Sequence, residues 1–182
     1  MLKIYISNLA AYNSGRLIGE WVDLPCSDLA DEIQAVLLEG QRVCGDALPH
    51  EEFFITDFEW DDDGMSKAYS VGEYSDPYKL NEVAEELSTL DEFERLQVQF
   101  LLYEGYEFDY AIENYGNVQI YDYRSSTSFK DVFEMLAEDL VDEGCFGEIS
   151  ANITYYIDHS AIARDLRCDY SEFADGLLGR AS

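Results

Sequence analysis

Basic residues are scarce. Eleven Lys and Arg face 39 Asp and Glu in 182 residues, a formal net charge of −28. That shortage excludes binding nucleic acid through a basic surface, and it excludes attraction to anionic lipid. Long apolar runs are missing too. No window approaches the roughly 20 apolar residues of a spanning helix, and Met1 to Asn13 has no apolar core of signal-peptide length. Neither membrane nor export is expected, and the chain reads as cytoplasmic. The four cysteines, Cys26, Cys44, Cys145 and Cys168, are widely spaced with no C-x-x-C. A disulfide framework is not expected at this density, so they read as reduced, mostly buried thiols. His50 and His159 stand apart from the cysteines at zinc spacing, and no H-E-x-x-H occurs. Both read as surface or capping residues, with no metal expected. No P-loop, dinucleotide-binding glycine pattern or G-x-S-x-G appears, so no cofactor is expected either.

What is present points to a folded protein. Hydrophobic residues make up 47% of the chain and aromatics 14%. A disordered acidic tail would lack them. The pattern predicts an α+β chain in three units, residues 1–72, 73–115 and 116–182. In the first, Leu2, Ile4 and Ile6 alternate as a strand, Asn13-Ser14-Gly15 is a turn, and Gly19 to Leu24 is a second strand. Ser27 or Asp28 caps a helix carrying Leu29, Ile33, Val36 and Leu37 on one face and ending at Gly40. Glu52 to Glu59 is the third strand of a small sheet. The middle unit is helical. Asp76-Pro77 starts a helix, and Thr89 with Glu92 forms a capping-box pattern. A second helix carries Phe93, Leu96, Phe100 and Tyr103 and is closed by Gly105; a third runs from about Glu107 to Asn114. The last unit is α+β: a strand over Val118 to Tyr123, a helix capped by Ser126 or Ser128 and bearing Phe129, Val132, Phe133, Leu136 and Leu140, a strand over Asn152 to Asp158, a helix over His159 to Leu166, and a frayed tail from Gly179 to Ser182.

The negative charge is spread along the chain. The three units hold 14, 12 and 13 acids against 4, 2 and 5 bases. A local metal site or acidic tail would concentrate it; even coverage is a property of the whole surface. Asp131, Glu134, Glu138 and Asp142 fall on one stripe of their helix, where like charges repel. The bland reading is a solvated face. The alternative is that the surface imitates duplex DNA, which carries one charge per about 1.7 Å of axis. On that scale 28 charges match roughly 48 Å, or about 14 base pairs.

The same acids allow rival chemistries. Glu59-Trp60-Asp61-Asp62-Asp63-Gly64 fits a calcium loop loosely, but position 12 is Ser70 and the preceding element reads as a strand. It reads better as an acidic turn. With so many acids any pair can be nominated for a carboxylate-dependent hydrolase, so that reading stays a rival without a distinguishing signal. An acidic chaperone that sequesters basic DNA-binding proteins is a second rival. Tyr103, Tyr106, Tyr110 and Tyr115, interleaved with acids, are expected mostly in the core or half-buried.

Four stretches, in order over nearly the whole chain, resemble ArdA-type antirestriction proteins: Lys3 to Pro25 (KIYISNLAAYNSGRLIGEWVDLP), Glu51 to Glu59 (EEFFITDFE), Leu90 to Asn114 (LDEFERLQVQFLLYEGYEFDYAIEN) and Tyr156 to Tyr170 (YIDHSAIARDLRCDY). The resemblance implies an elongated, curved three-domain homodimer that mimics bent DNA. It implies a non-enzymatic inhibitor that occupies the DNA groove of type I restriction-modification enzymes, at the methyltransferase core, and protects incoming mobile-element DNA. Dimerisation is expected through the C-terminal unit, where Phe146 and Ile149 look exposed. The acidic middle of the family maps onto Asp91, Glu92, Glu94, Glu104, Glu107, Asp109 and Glu113. With Asp61, Asp62 and Asp63 of the acidic turn and Asp131, Glu134, Glu138 and Asp142 of the helical stripe, these are the expected partner-binding carboxylates.

Overall fold

The structure, a computed structural model, describes residues 1–150 and 152–181. Among them are eight α-helices and two three-stranded antiparallel sheets, an α+β fold as expected. The chain forms two compact units, Met1–Arg95 and Leu96–Ser182.

The first unit contains β1 (Leu2–Asn8), α1 (Leu9–Asn13), β2 (Gly19–Leu24), α2 (Leu29–Cys44), β3 (Phe53–Trp60), α3 (Asp63–Ala68), α4 (Pro77–Thr89) and the start of α5 (Glu92–Tyr103). The strands pair in the order β2-β1-β3. Strand alternation puts Leu2, Ile4 and Ile6 of β1 beside Val22 and Leu24 of β2 on one face, all buried. The 3.6-residue period of α2 brings Leu29, Ile33, Val36 and Leu37 onto that face to close the core, with Leu80 and Ala84 of α4 added. Asp76 caps α4 by accepting from the Tyr78 N–H, and Pro77 opens it.

Three expectations change here. A short helix, α1, precedes the Ser14-Gly15 turn. Asn8 caps it, accepting the Ala11 N–H at 2.9 Å. Gly40 does not end α2. The helix runs on to Cys44 and closes at Gly45, whose φ of 75° needs glycine. Gly40 instead makes room for the Asn8 side chain, because a Cβ there would stand 2.1 Å from Asn8 Nδ2. The third change is the capping box, which lies two residues later than read. Thr89 donates its hydroxyl to the Glu86 carbonyl, while Asp91 accepts the Glu94 N–H at 2.8 Å and Glu94 accepts the Asp91 N–H at 2.9 Å.

The second unit takes the buried half of α5 and adds α6 (Phe108–Asn114), β4 (Val118–Asp122), α7 (Val132–Asp142), α8 (His159–Leu166), β5 (Ser171–Ala174) and β6 (Leu177–Ala181). The sheet order is β4-β6-β5. Phe133, Leu136, Ala137 and Leu140 of α7 pack on Ala163 and Leu166 of α8 and on Leu178.

The differences in this unit are larger. The tail from Gly179, expected to be frayed, continues the central strand formed by residues 177–181, with Leu177 and Leu178 buried; Ser182 lies outside the described residues. Gly179 is required there, since a Cβ would meet the Phe100 ring at 2.2 Å. Strand β5 was not anticipated. The stretch Asn152 to Asp158 is not a strand: it holds a single 3-10 turn, Thr154–Tyr156, and Asn152 to Tyr156 are exposed. Asp131, not Ser126 or Ser128, caps α7 by accepting the Phe133 N–H, which leaves Phe129 outside the helix and fully exposed. The cysteines are free thiols but not mostly buried: Cys26 and Cys44 are half-buried, Cys145 and Cys168 exposed.

Candidate partner-binding surface

The expected carboxylates sort by what they already hold. In the first unit Asp61 pairs with the N-terminal ammonium of Met1. Asp62 caps α3, accepting the Gly64 N–H at 2.7 Å and the Met65 N–H at 3.4 Å. The acidic turn is thus a helix start, with peptide N–H groups where a calcium loop would place an ion. Asp63 opens α3 and is exposed. Asp91 and Glu94 cap each other's backbone at the start of α5, with exposed Glu92 between them.

In the second unit Glu104, Glu107, Asp109 and Glu113 are all exposed, around the turn from α5 into α6. Gly105, at φ 91°, allows that turn. On α7 the stripe is partly neutralised. Asp131 accepts from Arg167 at 2.7 Å, Glu134 accepts from the Ser160 hydroxyl, and Glu138 pairs with Lys130 and lies 3.9 Å from His159 Nδ1. Sequence spacing showed only Lys130 near this stripe. Arg167, Ser160 and His159 come from α8 and its end, which packs on α7. Among the described residues, Asp63, Glu104, Glu107, Glu113 and Asp142 have no side-chain partner.

The few cations are mostly paired with acids beside them. Arg42 grips Glu39 through two hydrogen bonds of 2.7 and 2.6 Å and holds its carboxyl below the usual range. Arg124 does the same to Asp122. Lys3 faces Asp23 at 3.1 Å. With 39 acids against 11 bases, the surplus acids are left without a cation. Sequence reasoning passed over Glu82, Glu85 and Glu86, exposed on α4 at i, i+3, i+4. That spacing was readable beside buried Val83 and Leu87.

The interleaved tyrosines are more exposed than expected. Tyr103, Tyr106 and Tyr110 are open to solvent, with Tyr106 and Tyr110 stacked at 4.7 Å; Tyr115 alone of the four is half-buried. On the open face of the first sheet, Tyr5, Tyr12, Leu17, Trp21 and Phe54 line a cleft of about 750 Å³. Asp57 and Glu73 are the carboxylates that line it. His50 is neither a surface nor a capping residue. It is buried, and Cys44, Asp46 and His50 come within 4.8 Å of one another. No cysteine-to-histidine spacing of a zinc motif signals that cluster.

A family model described as Antirestriction protein (ArdA) matches residues 4–178. The chain belongs to the ArdA antirestriction protein family. The match takes in all fourteen expected carboxylates and both sheets, except for the first two residues of β1 and the last three of β6. A search of the curated proteins finds no match. ArdA membership makes an antirestriction protein of the chain. Among the described residues no helix is long and apolar enough to cross a membrane.

Proposed function

We propose that this ArdA-family protein is a DNA mimic. It occupies the DNA-binding groove of type I restriction-modification enzymes, at the methyltransferase core, and so protects incoming mobile-element DNA in the cytoplasm. The observation that carries the reading is a folded surface whose acids outnumber its bases by 28 while the bases present are mostly held by their own neighbours. Exposed carboxylates would replace phosphates as partners for Lys and Arg in the groove. Neither nucleic acid nor membrane is a partner in this reading. The fourteen carboxylates remain its contact set, with those lacking internal partners best placed to act. The blocks 1–72, 73–115 and 116–182 are its functional divisions.

The active form is a homodimer joined through the C-terminal unit. Phe146, Ile153, Tyr155 and Tyr156 support this, exposing apolar and aromatic surface in one stretch of chain. Two such chains repel, so their interface must be apolar or locally paired. The test is displacement of a labelled duplex from a purified type I methyltransferase core at moderate salt. Displacement at saturating protein is expected; a duplex that stays bound across several such enzymes overturns the reading.

A further inference from the structure

Cys44 is the last residue of α2, Asp46 follows the left-handed Gly45, and His50 folds back beneath them. The His50 side chain is 4% exposed. Its two ring nitrogens meet different groups. Nδ1 lies 3.0 Å from Asn8 Oδ1. The orientation of Asn8 is settled by its other bonds. Its Nδ2 donates to the Val36 and Leu37 carbonyls at 3.4 and 3.3 Å, and its Oδ1 accepts the Ala11 N–H. Flipping the amide would set N–H against N–H and carbonyl against carbonyl. Oδ1 therefore faces the ring, and His50 Nδ1 carries the proton.

Nε2 then points at Asp46 Oδ2, 2.8 Å away. In a neutral ring that nitrogen is a bare lone pair, and a lone pair against a carboxylate is repulsive. A proton on that nitrogen donated to Asp46, or a metal ion between the two, removes the repulsion. A proton serves only that pair, whereas Cys44 Sγ also lies within 4.8 Å of both ligand atoms. A metal ion uses all three groups. The Asn8 contact is the outer hydrogen bond that orients metal-binding imidazoles and fixes their tautomer. One thiolate, one imidazole and one carboxylate suit zinc and its neighbours, whereas calcium and magnesium favour oxygen alone. Bonds of about 2.0–2.3 Å in a tetrahedron set ligand atoms roughly 3.3–3.7 Å apart. The Nε2–Oδ2 pair would open by about half an ångström to reach that, and Asp46, half exposed on a loop, has the freedom to move.

We propose that Cys44, Asp46 and His50 bind one divalent transition metal of the zinc class, with water in the fourth position. The ion would tie the end of α2 to β1 through His50 and Asn8. This inference is independent of the DNA-mimic reading.

The test is a cobalt(II) titration of the reduced full-length chain. The sulfur-to-cobalt charge-transfer band separates this site from loose binding by surface carboxylates. One equivalent is expected to saturate the band, zinc to abolish it, and excess magnesium to leave it. Cys44→Ser should remove the band while Cys168→Ser, at an exposed cysteine, keeps it. Asp46→Ala, with folding checked by circular dichroism, should weaken cobalt binding by roughly tenfold or more. Zinc should raise the melting temperature of the wild-type chain and not of Cys44→Ser. Absence of the band, its survival in Cys44→Ser, or unchanged affinity in Asp46→Ala would each overturn the proposal.

Discussion

Gly179 and Gly40 show how a missing side chain positions two elements. At Gly179 the strand passes directly under Phe100, which also meets Phe173 edge-on at 5.4 Å. A methyl group there has no room unless the ring moves, so Gly179→Ala should destabilise the second unit by about 1–3 kcal/mol. Urea unfolding measures it, and a neutral result would mean that Phe100 repacks freely. Gly40→Ala should act similarly in the first unit by displacing Asn8 from the Val36 and Leu37 carbonyls. A second residue-scale effect concerns pH. Burial pushes the Tyr123 hydroxyl well above its ordinary value of 10.0, and its 2.7 Å bond to Asp139 adds to the shift. A raised value in the folded state means that the unfolded chain gives up this proton first. The stabilisation is complete below about pH 10 and is lost as pH rises beyond it. Tyr123→Phe should therefore flatten the alkaline fall in stability, read as urea midpoints between about pH 9 and 11. An unchanged slope would leave Tyr121, also raised by burial, as the source.

At the scale of elements, acids that start helices differ from acids that only face solvent. Asp91 satisfies a backbone N–H at the start of α5 and Asp131 does so for α7. Replacing either with Ala should cost about 1 kcal/mol of stability through the lost cap. Glu113→Gln, on exposed α6, should leave the urea midpoint unchanged. If Asp91→Ala is equally silent, the reciprocal cap contributes nothing in solution. Most elements were legible from periodicity. The strands Leu2–Asn8 and Gly19–Leu24 and the helix His159–Leu166 stand where alternation and capping put them, because local pattern and tertiary burial agree there. The failures share a cause, which is reliance on local signals where distant contacts decide. Gly40 and Gly179 resemble a stop and a fray until Asn8 and Phe100 come into place. Asn152 to Asp158 alternates like a strand but finds no partner strand. The carboxylates themselves were legible as exposed acids. Which of them are occupied was not, because Arg167, Ser160 and His159 reach α7 only through the packing of α8.

At the scale of the molecule, 28 unbalanced charges act against folding and in favour of binding a basic surface, and salt separates the two. The screening length falls from about 30 Å at 0.01 M to about 8 Å at 0.15 M. Self-repulsion weakens over that range, so the melting temperature should rise with added salt, while displacement of duplex from the restriction enzyme core should weaken. A melting temperature that falls with salt would mean the internal ion pairs outweigh the surplus. The same reasoning sets how inhibition should depend on single residues. An exposed carboxylate in a mimic makes one screened contact worth about 1 kcal/mol or less, so Glu107→Gln alone should shift affinity by less than roughly fivefold. Asp63, Glu104, Glu107, Glu113 and Asp142 suit a cumulative series, since amides there break no internal bond among the described residues. Changed in steps, they should lower affinity progressively, by roughly one to three orders of magnitude for the five together. The salt dependence of binding should become shallower with each step, because fewer ion-mediated contacts form. A carboxylate-dependent hydrolase would behave otherwise, losing nearly all activity at one acid and none at the others. The series, with circular dichroism confirming the fold, thus separates the two mechanisms by the shape of the loss: a slope that follows the number of acids removed, or a single step.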